Sequence, residues 1–334
     1  MIDVTVIGCG FMGEFHARAV HEHPLLRLAS AVDVDEERAD AVATKYGADE
    51  ALTEHGDAFA DADAAIVATP EPYHAEQAHA ALDRDVDLLL EKPPTDDLDT
   101  ARALAERALE TDLVTGVSFV LRYDPAYATA RERAQNGDLG EIVSGRAKRA
   151  ITADESRRIG ARGHPNFYMS IHDIDALLAC IDSRVRSVSA VERKGELADI
   201  DVPDSVQALL EFENGTTAVV EGYGVLPANT PGGIQAAFEL VGTNGSVSVD
   251  TPGTTIEVLN GSFDRPDTRH WPVINGEMDG AVARQIDRFA KAVAGDATMV
   301  ATVEDGYRAQ RVADAIRRAA ETDSIVDLDP REDV

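Results

Sequence analysis

Residues 2–13 read IDVTVIGCGFMG, and this stretch decides the fold. The short apolar run that ends at Ile7 has the β-branched character of a buried strand. Gly8, Gly10 and Gly13 follow at once, and over residues 11–22 the apolar side chains recur at helical spacing. Three glycines alone say little, but between a strand and a helix they form the fingerprint of a dinucleotide-binding turn. Gly8 permits the tight turn. Gly10 lets a diphosphate come close to the backbone, where the helix N-terminus offers free N–H groups and a partial positive charge. Gly13 lets helix and strand pack closely. Phe11 and Met12 complete the loop assigned to the cofactor.

Outward from that turn, the run at 26–32 leads into Asp33, twenty residues beyond Gly13, where a carboxylate can accept hydrogen bonds from an adenosine ribose. Asp35 adds a second carboxylate, so a 2′-phosphate would meet two negative charges and NAD is expected over NADP. Arg38, one helical turn on, keeps NADP open. Further apolar runs at 64–68, 86–90 and 113–119 alternate with helical patterns near 35–46, 72–84 and 97–111. Pro24 and Gly47 mark helix ends, and Asp96 or Asp97 a helix start. This is the rhythm of a doubly wound parallel sheet.

Beyond Ser118 the rhythm changes. A helix near 125–136, a strand near 141–151, a polar Arg-rich loop and a helix near 170–181 precede strands at 185–193, 205–213, 216–223, 235–241, 246–250 and 255–259. Asn214-Gly215 and Asn244-Gly245 fall between paired runs, and Asn-Gly favours a type I′ hairpin turn. Two helices, near 280–294 and 303–322, close the chain. The expected fold is α/β: a Rossmann domain over 1–120, then an α+β domain over 121–329 with a large, mostly antiparallel sheet, then a tail at 330–334, with fraying expected from Asp329 to Val334.

Charge narrows the function classes. The chain carries 61 Asp and Glu against 31 Lys and Arg, a formal net charge of −30, and only five of the cations are lysines. Such a chain repels phosphate backbones, so nucleic acid is excluded as a partner. In dilute buffer it also repels itself, whereas in about 1 M salt the Debye length falls to about 3 Å. A salt-filled cytoplasm, as in haloarchaea, is therefore expected. No apolar run approaches the roughly 18 residues of a membrane span, and a strand starting at Ile2 leaves no room for a signal peptide, so a cytoplasmic location is expected. Cys9 and Cys180 are too few for a zinc site or a disulfide framework.

Ala68-Thr69-Pro70 with His74, Glu91-Lys92-Pro93, the glycine turn and Ile171-His172-Asp173-Ile174-Asp175 together resemble the Gfo/Idh/MocA dehydrogenases, and the likeness spans nearly the whole chain. The resemblance implies a Rossmann domain, an open-faced sheet domain used for oligomerisation into a homodimer or homotetramer, and a nicotinamide cofactor between them. It places Thr69, Pro70, His74, Glu91 and Lys92 at the cofactor, and Lys92 at the reacting hydroxyl. Read from the residues, Glu91 and Lys92 lie just past a parallel strand, where such sheets take ligands. A desolvated lysine can share its proton, which an arginine cannot. Pro93 and Pro94 stiffen the loop, and in the family Glu-Lys-Pro can hold a cis bond.

The resemblance also makes His172 the base for the hydroxyl proton, a role its ordinary pKa of about 6.5 suits. Many dehydrogenases of the family have an Asp four residues before this histidine. Here the position is Tyr168, which can present a hydroxyl but no carboxylate. Arg122 and Tyr123 are assigned to cofactor or substrate by resemblance only. Arg157, Arg158, Arg162 and His164 form a cationic patch before His172 that could receive an anionic sugar, the plainer reading being pairing with surface acids. Asp173 and Asp175 do not converge with His172 on a helix, so no metal is expected. His16, His21, His23, His55 and His79 read as structural, on polar faces or near turns. The expected activity is reversible hydride transfer between a secondary alcohol of a sugar or cyclitol and NAD. The alternatives are redox-neutral chemistry on a tightly held NAD and a sugar-binding regulator without turnover.

Overall fold

The computed structural model describes residues 1–160, 170–251, 256–259 and 263–334. They form two compact units, Met1–Asp124 with Arg269–Tyr307 and Val334, and Pro125–Thr268 with Arg308–Asp333.

The first unit begins with β1 (Ile2–Ile7), α1 (Phe11–Glu22), β2 (Leu26–Val32), α2 (Glu36–Tyr46), β3 (Glu50–Leu52), α3 (His55–Ala58), β4 (Ala64–Val67), α4 (His74–Leu82), β5 (Asp87–Leu90), α5 (Leu98–Leu109) and β6 (Thr115–Val117). The strands form one parallel sheet in the order β3-β2-β1-β4-β5-β6. Winding reverses between β1 and β4, and a sheet of this kind binds its ligand beyond the carboxyl ends at that point. All four residues of β4 are buried, as expected of a strand covered on both faces. The helix ends follow side-chain chemistry. Asp35 caps α2 by accepting from the Glu37 N–H, Gly47 ends it at φ 71°, and Asp97 caps α5 through the Thr100 N–H.

The second unit contains α6 (Pro125–Gln135), β7 (Ile142–Thr152), α7 (Ala153–Ile159), α8 (Ile171–Cys180), β8 (Val185–Arg193), β9 (Ser205–Phe212), β10 (Thr217–Leu226), β11 (Ile234–Gly242) and β12 (Ser246–Thr251). Its sheet runs β12-β11-β7-β10-β9-β8, with the short strand Val326–Asp327 beyond β8. Every pairing is antiparallel except that of β7 with β10. Val206, Ala208, Leu210, Val220, Phe238 and Leu240 are buried, while Leu209, Val219 and Val241 on the opposite face are exposed. Alternation along these strands thus gives one covered face and one open one.

Four details differ from the sequence reading. Residues 153–159 are a helix rather than loop, because Thr152 caps them by accepting from the Glu155 N–H. Neither Asn-Gly turn is type I′: Asn214 and Asn244 both lack positive φ, and the β9–β10 hairpin closes with Gly215 alone at φ 88°. The tail is held rather than frayed, since Asp333 pairs with Arg184 at 2.8 Å. Finally, α9 (Ala281–Val293) belongs to the first unit, whereas the sequence placed it within one continuous second domain. Val282, Ile286 and Phe289 share a core with Ala17 and Val20 of α1, a long-range contact no local pattern announces. The last helix, α10 (Val303–Thr322), starts in the first unit and ends in the second.

Among the described residues no helix is long and apolar enough to cross a membrane, and no group of His, Cys, Asp and Glu is placed to hold a metal.

Candidate active site

The turn between β1 and α1 is built by close approach. Gly8 sits at φ 95°, and a Cβ there would lie 2.7 Å from the backbone of Ala68 and Thr69. A Cβ on Gly13 would lie 1.7 Å from the Gly8 carbonyl oxygen. Gly10 differs: nothing lies within 4 Å of its would-be Cβ, and no side chain caps the helix it begins. Among the described residues nothing crowds the N-terminus of α1 at Gly10 and no side chain caps it, as the cradle of a diphosphate requires. Asp33, half-buried after β2, fixes the turn from the side. Its Oδ2 accepts the Cys9 N–H at 2.8 Å and its Oδ1 the Asp35 N–H at 3.0 Å, leaving lone pairs on both oxygens for ribose hydroxyls. Arg38 pairs with Asp35 at 3.2 Å. The residues present fit NAD. Burial and the nearby Asp33 charge push the Cys9 thiol up to about 12, so it is an inert side chain in this loop.

Beyond β4, Thr69 donates to Gln77 Oε1 at 2.6 Å, and Pro70 begins the single turn Glu71–Tyr73 that leads into α4. His74, wholly buried, sets its Nε2 2.8 Å from the Thr69 carbonyl oxygen and its Nδ1 2.9 Å from that of Pro93. It ties two loops of the site together. Burial lowers its pKa, against the carbonyls and the charges of Glu91 and Glu71 that favour the protonated form.

Beyond β5 come buried Glu91, half-buried Lys92 and a cis bond to Pro93. Glu91 Oε1 lies 2.9 Å from Nε2 of His16, and its Oε2 accepts the Lys92 N–H at 3.2 Å. Burial opposes ionisation of Glu91, but the hydrogen bond and charge of His16, the charge of Lys92 and the Ser118 hydroxyl together hold it below the ordinary range. Gly306 of α10 lets that helix lie against the loop, because a Cβ there would meet Pro94 Cγ at 2.6 Å.

Arg122 is occupied within its own unit, donating to the Val300 carbonyl at 2.6 Å and to Asp305 at 3.1 Å; Tyr123 is buried. In the second unit His172 is half-buried in the first turn of α8, between buried Ile171 and Asp173. Tyr168, Arg162 and His164 lie outside the described residues. Arg157 pairs with Asp199 at 2.6 Å and Arg158 with Glu155 at 2.7 Å, the plainer of their two readings.

The first unit thus gathers the glycine turn, Asp33, Thr69, His74, Glu91 and Lys92 at the carboxyl ends of β1, β2, β4 and β5, while His172 belongs to the second. Two participants escaped the sequence reading. His16 is not on a polar face: it is fully buried on the stripe Gly13, His16, Ala17, Val20, whose helical spacing was the available signal. Trp271 stacks on Phe15 at 5.3 Å and meets Phe11 edge-on at 5.9 Å, beside the glycine turn.

Comparison with known proteins agrees with this geometry. Residues 2–119 match the Gfo/Idh/MocA oxidoreductase family profile, described as an NAD-binding Rossmann fold, and residues 127–248 match the Gfo/Idh/MocA C-terminal domain. An inositol 2-dehydrogenase of Rhizobium meliloti is 27% identical over 326 residues, covering 95% of this chain and 96% of that protein. An inositol 2-dehydrogenase of Rubrobacter xylanophilus is 30% identical over 259 residues, 74% of this chain and 71% of that one. The crystal structure of a scyllo-inositol dehydrogenase from Lactobacillus casei, with bound NAD(H) and scyllo-inositol, superposes with a TM-score of 0.85 at 21% identity, over 98% of this chain and 99% of that one.

Proposed function

The chain belongs to the Gfo/Idh/MocA oxidoreductases, and from that premise we propose that it is an NAD-dependent dehydrogenase that oxidises a secondary alcohol of a cyclitol, with inositols as the first candidates. The observation that carries this reading is the loop Glu91-Lys92-Pro93, which follows β5 at the carboxyl edge of the sheet whose glycine turn fits a dinucleotide. Bound NAD supplies a hydride acceptor. The protein's share is proton handling. Lys92 holds and polarises the reacting oxygen, and His172 takes the hydroxyl proton as the carbinol carbon gives up its hydride. Tyr168, four residues before His172 in sequence, is assigned the support of that imidazole. Arg122 and Tyr123 are assigned to cofactor or substrate, and Arg162 and His164 to substrate.

Two further readings belong with this one. The open sheet face, with Leu209, Val219 and Val241 exposed, supports a homodimer or homotetramer. The net charge of −30 supports adaptation to a salt-filled cytoplasm.

The test is NADH formation with myo- and scyllo-inositol, sugars and uronates, in potassium chloride, by the wild type and by Lys92→Ala and His172→Ala. Turnover of a cyclitol that falls by at least about a hundredfold in each variant is expected. Binding of NAD and cyclitol with no NADH formed would favour a regulator, and cofactor that never exchanges would favour redox-neutral chemistry.

A further inference from the structure

The mechanism above uses Lys92 but not the buried pair behind it. His16 reaches from α1 to Glu91, and Glu91 holds the main-chain N–H of Lys92 with its other oxygen. An ionised carboxylate can only accept, so Nε2 of His16 carries the proton in this contact. A carboxylate with almost no access to solvent keeps its charge only if such donors meet it. Among the described residues, the groups that act on Glu91 are His16 from α1, Lys92 beside it, His74 from α4 and the Ser118 hydroxyl beyond β6. His16 is the donor that reaches Glu91 from another element.

We propose that His16 is a positioning residue for the dehydrogenase reaction: through Glu91 it fixes the backbone and the charge environment of Lys92. The same turn has a second, independent anchor, because His74 meets the Pro93 carbonyl. Removing His16 therefore frees the Lys92 end of the turn and leaves the Pro93 end held. Without its donor, Glu91 takes up a proton at a higher pH than before. Lys92 then loses the negative charge beside it, and the anchor on its N–H weakens. Helix α1 carries both the diphosphate cradle at its start and His16 one turn later, so one rigid element sets the positions of cofactor and lysine.

This inference rests on the role given to Lys92, and the experiment separates the two. Steady-state kinetics with NAD and inositol are measured across pH for His16→Leu, His16→Gln, Lys92→Ala and His16→Leu in the Lys92→Ala background. His16→Leu is expected to lower kcat at least about tenfold with KM for NAD within about twofold. His16→Gln, which keeps a donor at the same reach, recovers kcat to within about threefold of wild type. In the Lys92→Ala background the His16 change costs less than about twofold. Equal losses in both backgrounds, a loss confined to KM, or no recovery in His16→Gln would overturn the proposal. Wild-type turnover by Lys92→Ala sinks the role of Lys92 itself, whereas an inactive Lys92→Ala beside an unimpaired His16→Leu sinks only the positioning role. Should His16→Leu fail to fold, Glu91→Gln is read by the same comparisons, and unaltered kcat there refutes the proposal.

Discussion

Arg149 grips the carboxylate of Asp173 with Nε at 2.6 Å and Nη2 at 3.1 Å, both side chains are buried, and Asp173 directly follows His172 on α8. The helix that carries the candidate base is thereby anchored to β7 through an ion pair. Burial raises the Asp173 pKa, and the charge and hydrogen bonds of Arg149 offset only part of that rise. Arg149→Met removes the charged partner of this buried carboxylate and should cost about 3–5 kcal/mol at neutral pH. Its sign with pH follows from proton counting. The folded variant holds a proton on Asp173 that the unfolded chain releases above about pH 4, so stability falls as pH rises through that window. Urea denaturation across pH should show the deficit shrinking on acidification, and Arg149→Met with Asp173→Leu should recover much of it. A deficit independent of pH would contradict this account.

The two later glycines of the turn make opposite predictions. A methyl on Gly13 collides with the Gly8 carbonyl, so Gly13→Ala should lower stability by about 1–3 kcal/mol and weaken NAD binding as well. A methyl on Gly10 meets no protein atom. Gly10→Ala should therefore melt like the wild type yet bind NAD at least about tenfold more weakly, because the methyl takes up space the diphosphate needs. Melting curves and calorimetric titration of the two variants separate fold from function.

Much of this was legible because it is local. Glycine spacing after a strand, Asp35 and Asp97 at helix starts and Gly47 at a helix end each act within one turn of chain. The Glu91-Lys92-Pro93 loop was legible too, through family resemblance and its place after a buried strand. What stayed hidden depends on distant partners. The three-residue β3 is too short to show a period. The membership of α9 is set by Phe289 and Ile286 meeting α1, more than 250 residues away in sequence. His16 was misjudged because a polar residue on an apolar stripe gains its meaning only from Glu91, 75 residues on.

Asp33 should decide between the two nicotinamide cofactors. Its carboxylate already organises the turn through the Cys9 N–H, and Arg38, the cation that left NADP open, pairs with Asp35. Asp33→Asn removes the charge that repels a 2′-phosphate while keeping a polar side chain. The ratio of kcat/KM for NADP over NAD should rise by at least about tenfold, mainly through a higher KM for NAD. An unchanged ratio would mean that Asp33 only caps the turn.

The single tryptophan offers a direct readout of cofactor. Trp271 packs on Phe15 and Phe11 beside the glycine turn. Its emission overlaps the absorption of NADH, so NADH bound in the same unit should quench it in a saturable way. Trp271→Phe should lose the signal while binding NADH within about threefold of wild type, since the replacement keeps an aromatic ring in the stack. Calorimetric binding with no quenching would place the nicotinamide away from this cluster.

Salt sets two electrostatic effects against each other in this chain. It weakens surface pairs such as Arg27 with Asp3 and Arg186 with Glu211, whose exposure already makes them weak. It also screens the mutual repulsion of the carboxylates, and these outnumber the cations 61 to 31. Even with every Lys and Arg paired to one acid, thirty carboxylates keep no cationic partner, so screening of repulsion should win. The melting temperature is therefore expected to climb steadily from dilute buffer into molar potassium chloride, and sodium chloride at equal ionic strength should act alike if screening is the cause. A melting temperature that is flat or falls with salt would show that the ion pairs outweigh the excess charge, and the salt adaptation drawn from composition would be abandoned.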